Sequence, residues 1–383
     1  MTKISQRSAV EPFHAMDVLA QVTRHLKQGH PVISMAVGQP AHGAPQKVVE
    51  VARQALLEER IAYTDALGLA GLREAIAAHY SSAYGVAVAA DRIAVTTGSS
   101  AGFNLAFLTL FEVGDRVAIT RPGYPAYRNI LLALGLKPVE IAVGAESEFT
   151  LSPEALELAQ RDGPIAGVLL ASPANPTGTV TGRAALTRLI EYCNDSGITF
   201  ISDEIYHGLS FADEETTALS ISDDVLVINS FSKYYCMTGW RIGWMVLPEP
   251  MIRPVERVSQ SLYISAPELS QIAACAAFEV TEELEIIKQG YRHNRDLLIE
   301  RLPAIGLDIA SPMDGAFYAY VDASRFTNDS MQFCKNMLSE IHVAATPGRD
   351  FDPVEGHRTI RFSYAGSHAE MAEALDRMQS WLA

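Results

Sequence analysis

The chain has 383 residues, with 30 lysines and arginines against 45 aspartates and glutamates, a formal charge of −15. That length exceeds the about 150 residues of one domain and predicts two interlocked lobes with a large buried core. A hydrophobic fraction of 48% with 20% charged residues argues against disorder, collagen-like repeats and coiled coil, and the negative balance argues against nucleic acid, whose phosphate backbone it repels.

The four cysteines, Cys193, Cys236, Cys275 and Cys334, are scattered, with no C-x-x-C pair and no zinc spacing, and read as reduced thiols. Met1 to Met16 lacks the apolar core of a signal peptide, and no run approaches the ~18 apolar residues of a membrane span. No membrane partner is expected, and a cytoplasmic location is.

In chain order, a helical pattern at Ala15–Lys27 and a strand-like Val32–Val37 come first; they have no core of their own and are expected to pack on the C-terminal lobe. Short apolar runs follow at Arg92–Val95, Arg116–Thr120, Pro138–Ile141, Gly167–Ala171, Ile198–Ser202, Val225–Asn229 and Ile242–Leu247, with helical stretches such as Ala101–Leu110 and Arg183–Cys193 between them. Several runs are rich in Val, Ile and Leu without clean alternation, as strands covered on both faces require, so the middle of the chain is predicted to be α/β with a largely parallel sheet. Beyond about Glu282 the pattern becomes a long charged helix (Leu284–Arg301), short strands around Ala316–Val321 and Thr359–Ser363, and a closing helix at His368–Leu382, an α+β lobe. The divisions read from this are 1–40, 41–283 and 284–383.

In open α/β sheets a ligand crevice forms outside the carboxyl ends of the strands, so polar residues just past strand ends are informative. Gly98-Ser99-Ser100 falls where a helix begins, and its N–H groups, hydroxyls and helix dipole suit a phosphate; a serine cap after a tight turn is the plainer explanation. Arg241, in Thr238-Gly-Trp-Arg-Ile-Gly243, is the ionic partner expected there. Asp203 follows an apolar run, and a buried carboxylate needs a cation, such as a protonated pyridine nitrogen; a helix cap or a buried ion pair would serve equally. Asn175 and Tyr206 offer an amide and a phenol suited to a ring oxygen, although Asn-Pro-Thr-Gly is also a good turn. Tyr124, in Pro-Gly-Tyr-Pro, can lie on a planar ring or simply pack. Lys233, directly after an apolar strand, would have a depressed amine pKa if held against apolar walls, and could then attack a carbonyl; snorkelling is the alternative. Arg361 alternates with apolar neighbours and, turned inward, can hold a carboxylate through two parallel hydrogen bonds, with Arg358 as a competing assignment.

Together these motifs resemble the fold-type I pyridoxal 5′-phosphate (PLP) aminotransferases of class I/II, the aspartate aminotransferase superfamily. Tyr63-Thr, Gly71-Leu-Arg-Glu-Ala, Gly98-Ser-Ser, Asn175-Pro-Thr-Gly, Ser202-Asp-Glu-Ile-Tyr206, Ser230-Phe-Ser-Lys233, Thr238-Gly-Trp-Arg-Ile-Gly243 and Arg361-Phe-Ser-Tyr occur in the family's order over nearly the whole chain. The resemblance implies a large domain with a mostly parallel seven-stranded sheet, and a smaller α+β domain made from both termini. By the same resemblance, Lys233 carries the cofactor as an internal Schiff base and moves the Cα proton, Asp203 pairs with the pyridine nitrogen, and Asn175 and Tyr206 reach the ring hydroxyl. Tyr124 matches the stacking aromatic, and Gly98, Ser99, Ser100, Ser230 and Arg241 match the phosphate site. Tyr63 matches a tyrosine that reaches the phosphate of a neighbouring subunit, which implies a homodimer with shared sites. Gly38 and Arg361, with Asn175, match the site of the substrate carboxylate. The activity implied is amino transfer from an L-amino acid to a 2-oxo acid, with a lyase such as a C–S β-lyase on the same fold as the alternative.

One departure bears on specificity. Some bacterial aspartate aminotransferases of this subgroup carry a lysine in the phosphate loop that reads a distal carboxylate, and Ser100 stands there. Trp240, Tyr318, Tyr263 and the loop from Gln39 to Pro45 are candidates for an apolar or aromatic side-chain pocket, and packing explains Trp240 equally well.

Overall fold

The computed structural model describes residues 2–58, 60–211 and 215–383. Its helices are α1 (His14–Lys27), α2 (Gln46–Glu58), α3 (Ala70–Tyr84), α4 (Ser99–Leu110), α5 (Pro125–Leu134), α6 (Pro153–Gln160), α7 (Arg183–Asp195), α8 (Ile252–Leu262), α9 (Glu268–Cys275), α10 (Thr281–Ala304), α11 (Ser330–Ile341) and α12 (His368–Leu382). Its strands are β1 (Ile33–Ser34), β2 (Ile93–Thr96), β3 (Arg116–Arg121), β4 (Lys137–Ala142), β5 (Gly167–Ala171), β6 (Thr199–Asp203), β7 (Leu226–Ser230), β8 (Gly243–Val246), β9 (Asp308–Ile309), β10 (Tyr318–Asp322), β11 (Val343–Ala344), β12 (Thr346–Pro347) and β13 (Thr359–Ser363). Local chemistry accounts for several helix starts. Ser152 caps α6 ahead of Pro153, and Ser367 with Glu370 forms a reciprocal capping box at α12.

Seven strands form one sheet in the order β2-β8-β7-β6-β5-β3-β4. The pairs β3·β4, β3·β5, β5·β6 and β6·β7 are parallel, and β8 runs antiparallel to both β7 and β2. Six strands therefore point one way. Successive residues of the central strands enter opposite cores: Phe200 of β6 and Val227 of β7 pack with α3 and α7 on one face, while Ile201 and Ile228 pack with α4 and α5 on the other. Burial on both faces is why these runs read as continuously apolar. In β6 the same alternation separates two adjacent carboxylates. Glu204, just past the strand, accepts from Ser202 Oγ, Thr217 Oγ1 and the Ala218 N–H on the α3 face, and Asp203 turns the other way.

The C-terminal part builds a four-stranded sheet, β12-β13-β10-β9, covered by a core to which α10, α11 and α12 contribute Leu298, Met337 and Leu375. Strand β1 pairs in parallel with β11, so the N-terminal segment joins this part, as the sequence predicts. It is shorter than the apolar run Val32–Val37, because the backbone changes partners at Met35, whose N–H still bonds β11 and whose carbonyl bonds β13. The Met35 N–H donates to Ala344 O, the Ser363 N–H to Met35 O, and the Ala36 carbonyl is taken by side chains. Likewise β10 starts at Tyr318 and not at Ala316, whose φ of 59° does not fit a strand. All four cysteines are free, and among the described residues no helix is long and apolar enough to cross a membrane.

Phe200 is 1% exposed between the sheet and α7. Phe200→Ala is expected to cost about 3–5 kcal/mol, read as a lowered denaturant midpoint with an unchanged slope.

Candidate active site

At the carboxyl edge of the seven-stranded sheet lies a cavity of about 570 Å³, lined among others by Ser99, Ser100, Tyr124, Asn175, Asp203, Tyr206, Lys233, Arg241, Tyr318 and Arg361. They come from seven places: after β2, β3, β5, β6 and β7, before β8, and from the C-terminal sheet. Because β8 is reversed, the turn before it, which holds Arg241, meets the same edge as the ends of its neighbours.

Helix α4 begins at Ser99 with Gly98 as its cap residue, at φ 77° and with no side chain capping the first turn. The serine cap considered from the sequence is therefore not what starts this helix, and its N-terminal amides stay available to an anion. A methyl group on Gly98 would lie 2.3 Å from a terminal nitrogen of Arg241, so the guanidinium sits directly against this loop. Ser230 is buried one step behind the cavity. Its hydroxyl bonds Ser232 Oγ at 2.8 Å and Ile242 O at 3.0 Å, and Ser232 is the serine that reaches the lining.

Asp203 is 2% exposed. Tyr127 Oη donates a short hydrogen bond to it and the Ile205 N–H another at 3.1 Å, and no ion pair to it occurs among the described residues. Burial outweighs both donors and lifts the carboxyl to about 6. Lys233 Nζ donates to the Gly38 carbonyl and lies 5.7 Å from the centre of the Tyr206 ring. Its ammonium is held down to about 7, first by burial and then by the positive charges of Arg361 and Arg241, with Asp203 opposing. Gly38 approaches the site so closely that a Cβ there would stand 2.1 Å from Tyr318 Oη. Tyr318 Oη in turn bonds Tyr206 Oη at 2.6 Å. Tyr124, its phenol pushed up to about 12 by burial, forms part of the wall.

Arg361 faces inward and is 2% exposed. Its guanidinium lies between the rings of Tyr318 and Phe351, 4.3 and 4.6 Å away. It donates to Asn175 Oδ1 at 2.9 Å, Ala36 O at 2.6 Å and Thr346 Oγ1 at 3.2 Å, while Nε has no protein partner. Arg358 points outward onto Glu355 at 3.3 Å, which separates the two competing arginines. Tyr63 is 78% exposed and outside the cavity of this chain. Trp240 packs on the large core, and Tyr263 bonds Asn104, so neither lines the cavity; Tyr318 and Gln39 do.

The residues that sequence reasoning passed over are Tyr127, Ser232, Phe13, Phe351 and Asp350. Two carried a signal: Tyr127 follows Tyr124 at a spacing that puts both at the start of one helix, and Ser232 adjoins Lys233. The others reach the site from segments whose polarity is ordinary.

The model of the family "Aminotransferase class I and II" matches residues 30–378. This chain belongs to the class I and II aminotransferases. The family generally uses PLP. The aminotransferase is 46% identical, over 99% of its own length and 98% of the other, to the valine–pyruvate aminotransferase of Mycobacterium tuberculosis. Among solved structures, an aminotransferase from M. tuberculosis superposes with a TM-score of 0.97 at 44% identity, covering 100% of this chain and 99% of that one. Aspartate aminotransferase from Thermus thermophilus with maleate superposes with a TM-score of 0.92 at 31% identity, over 99% and 100% of the chains. The architecture is thus the aspartate aminotransferase fold, and amino acids and 2-oxo acids are the substrates that this kinship implies.

A lysine that titrates near 7 is a free amine above that pH and a protonated, non-nucleophilic ammonium below it. Capture of a small aldehyde by Lys233, trapped by borohydride and located by peptide mass spectrometry, is expected to rise with pH to half its plateau near 7. A half-point near 10 would mark an ordinary lysine.

Proposed function

We propose that the cavity holds PLP, and that the aminotransferase moves an amino group from an L-amino acid with an uncharged aliphatic side chain to a 2-oxo acid. The observation that carries the reading is the meeting, in one cavity, of Lys233 with the 2%-exposed carboxylate of Asp203, which forms no ion pair among the described residues. Asp203 fits the group well: a protonated ring nitrogen would supply the positive partner that burial makes costly to omit. The open first turn of α4, the Gly98 backbone and Arg241 fit its phosphate, together with Ser99, Ser100 and Ser230, the last acting through Ser232. Tyr124 would stack on its ring, and Asn175 and Tyr206 would reach the ring hydroxyl.

When bound, the cofactor supplies an electron sink that makes the substrate's Cα–H bond acidic. Lys233 would anchor it, and its Nζ, once freed, would hold and move the proton of the substrate's Cα. An amine poised near neutrality can do both. Arg361, fixed by two rings and three acceptors, presents its remaining donor capacity to the α-carboxylate beside the Gly38 backbone.

Three observations support an aliphatic side chain. Ser100 stands where a lysine would read a distal carboxylate; Phe13, Met16, Leu19 and Val37 line the same cavity; and the relative at 46% identity is named a valine–pyruvate aminotransferase. The homodimer remains part of the proposal. Tyr63, Ile61, Leu262 and Ile264 are exposed side by side, where the 62–64 backbone runs along Ser265 and Glu268, and a second copy covering them would bring Tyr63 to the neighbouring phosphate site.

Lys233→Ala is expected to lose both the absorbance band of lysine-bound cofactor and turnover; normal transamination in that variant would refute the assignment. Arg361→Gln is expected to raise KM for amino acids by about 10–100-fold, the worth of charge-assisted hydrogen bonds. Valine is expected to outperform aspartate as donor in a panel scored by loss of the band, and the reverse order would overturn the side-chain reading.

A further inference from the structure

Helix α1 has no cap of its own. Phe13 occupies the cap position and offers no acceptor, yet the first N–H groups of a helix need one. Asp350, more than three hundred residues away in sequence, supplies it: Oδ1 accepts from the His14 N–H at 3.0 Å and Oδ2 from the Ala15 N–H at 3.0 Å. Both oxygens are used, the side chain is 1% exposed, and the negative charge faces the positive end of the helix.

Nearby, the Asn129 amide donates to Glu11 O at 3.0 Å, just ahead of the helix. Only Ala15 and Val22 of the helix are buried, and Met16 is 53% exposed. The same end carries Phe13, Met16 and Leu19 into the cavity, with the Phe13 ring edge-on to Tyr124 at 5.6 Å. On its other side, Asp350 precedes Phe351, whose ring lies on Arg361 and whose carbonyl accepts from the Gly123 N–H at 3.1 Å. One short turn thus touches the guanidinium proposed for the carboxylate, the loop that carries Tyr124 and the helix that carries the apolar wall.

We propose that Asp350 is a positioning residue for substrate selection: by clamping the His14 and Ala15 amides it fixes Phe13, Met16 and Leu19 as the wall against which the donor's aliphatic side chain packs. This rests on the cavity taking an amino acid in the orientation proposed above. A donor whose side chain ends at a methyl group barely reaches such a wall, and a branched aliphatic donor fills the space before it. Discrimination between the two therefore depends on the clamp, whereas handling of the α-carboxylate and the cofactor depends on other residues.

The test compares wild type, Asp350→Asn and Phe13→Ala by hydrogen exchange and by kinetics with valine, alanine and aspartate. In Asp350→Asn one accepting oxygen becomes an amide that faces a backbone N–H. Exchange over residues 13–19 is expected to quicken about tenfold, the size of a lost helix cap, with the rest of the chain unchanged. Valine is expected to lose about tenfold in kcat/KM, chiefly through KM, while alanine loses less than about threefold. Phe13→Ala, at a half-buried position that tolerates truncation, is expected to lower the valine-to-alanine ratio in the same direction. Unchanged exchange in Asp350→Asn, equal losses for valine and alanine, or an unchanged ratio in Phe13→Ala would each overturn the proposal. Should wild type convert none of the three donors, the substrate reading fails. Exchange then decides the clamp by itself, quickened exchange upholding it and unchanged exchange removing it.

Discussion

A guanidinium taken out of water needs its donors and its charge answered, and five groups answer most of that demand for Arg361, leaving Nε without a partner among the described residues. Asn175 arrives from the loop after β5, Ala36 from the segment after β1, Thr346 from β12, and the rings of Tyr318 and Phe351 from either side. Buried cations that lose such partners cost several kcal/mol. The site therefore inherits its shape from the need to satisfy one side chain. The N-terminal segment is drawn across the cavity because its carbonyl is needed there, and the seven-stranded and four-stranded sheets meet where their loops share the same acceptor set.

The same dryness sets the chemistry. In water, Lys233 would be an ammonium and Asp203 a carboxylate at every neutral pH. In the cavity, burial disfavours both charges, and the two arginines push the lysine further down. A lysine and a carboxyl both drawn toward neutrality can serve as base and acid.

Much of this was legible in the residues. Strands covered on both faces announce themselves as unbroken apolar runs, so the central sheet from β2 to β8 was placed to within a residue or two, and the polar groups past its ends fell into one cavity. What escaped had physical reasons. Val32–Val37 looks like a strand because its side chains are apolar, but its hydrogen bonds are divided between β11, β13 and side chains, and no pattern of side chains records where a backbone carbonyl points. Asp350 escaped because its partners His14 and Ala15 lie more than three hundred residues away, and a carboxylate in a turn reads as a solvated one. The choice between Arg358 and Arg361 needed the three-dimensional register, since one immediately precedes the short strand β13 and the other lies within it.

Adjacent carboxylates on one strand end have a final consequence. Asp203 and Glu204 differ by one methylene and, at a strand's period of two, face opposite sides of the sheet. A slip of one residue in β6 would turn Ser202 and Glu204 to the cavity face and take Asp203 to the face of Thr217 and the Ala218 amide. Thr217 Oγ1 and the Ala218 N–H hold Glu204 from outside the strand. They act as a phase reference on the far face, so the identity of the acid delivered to the cavity is decided by hydrogen bonds that never touch it.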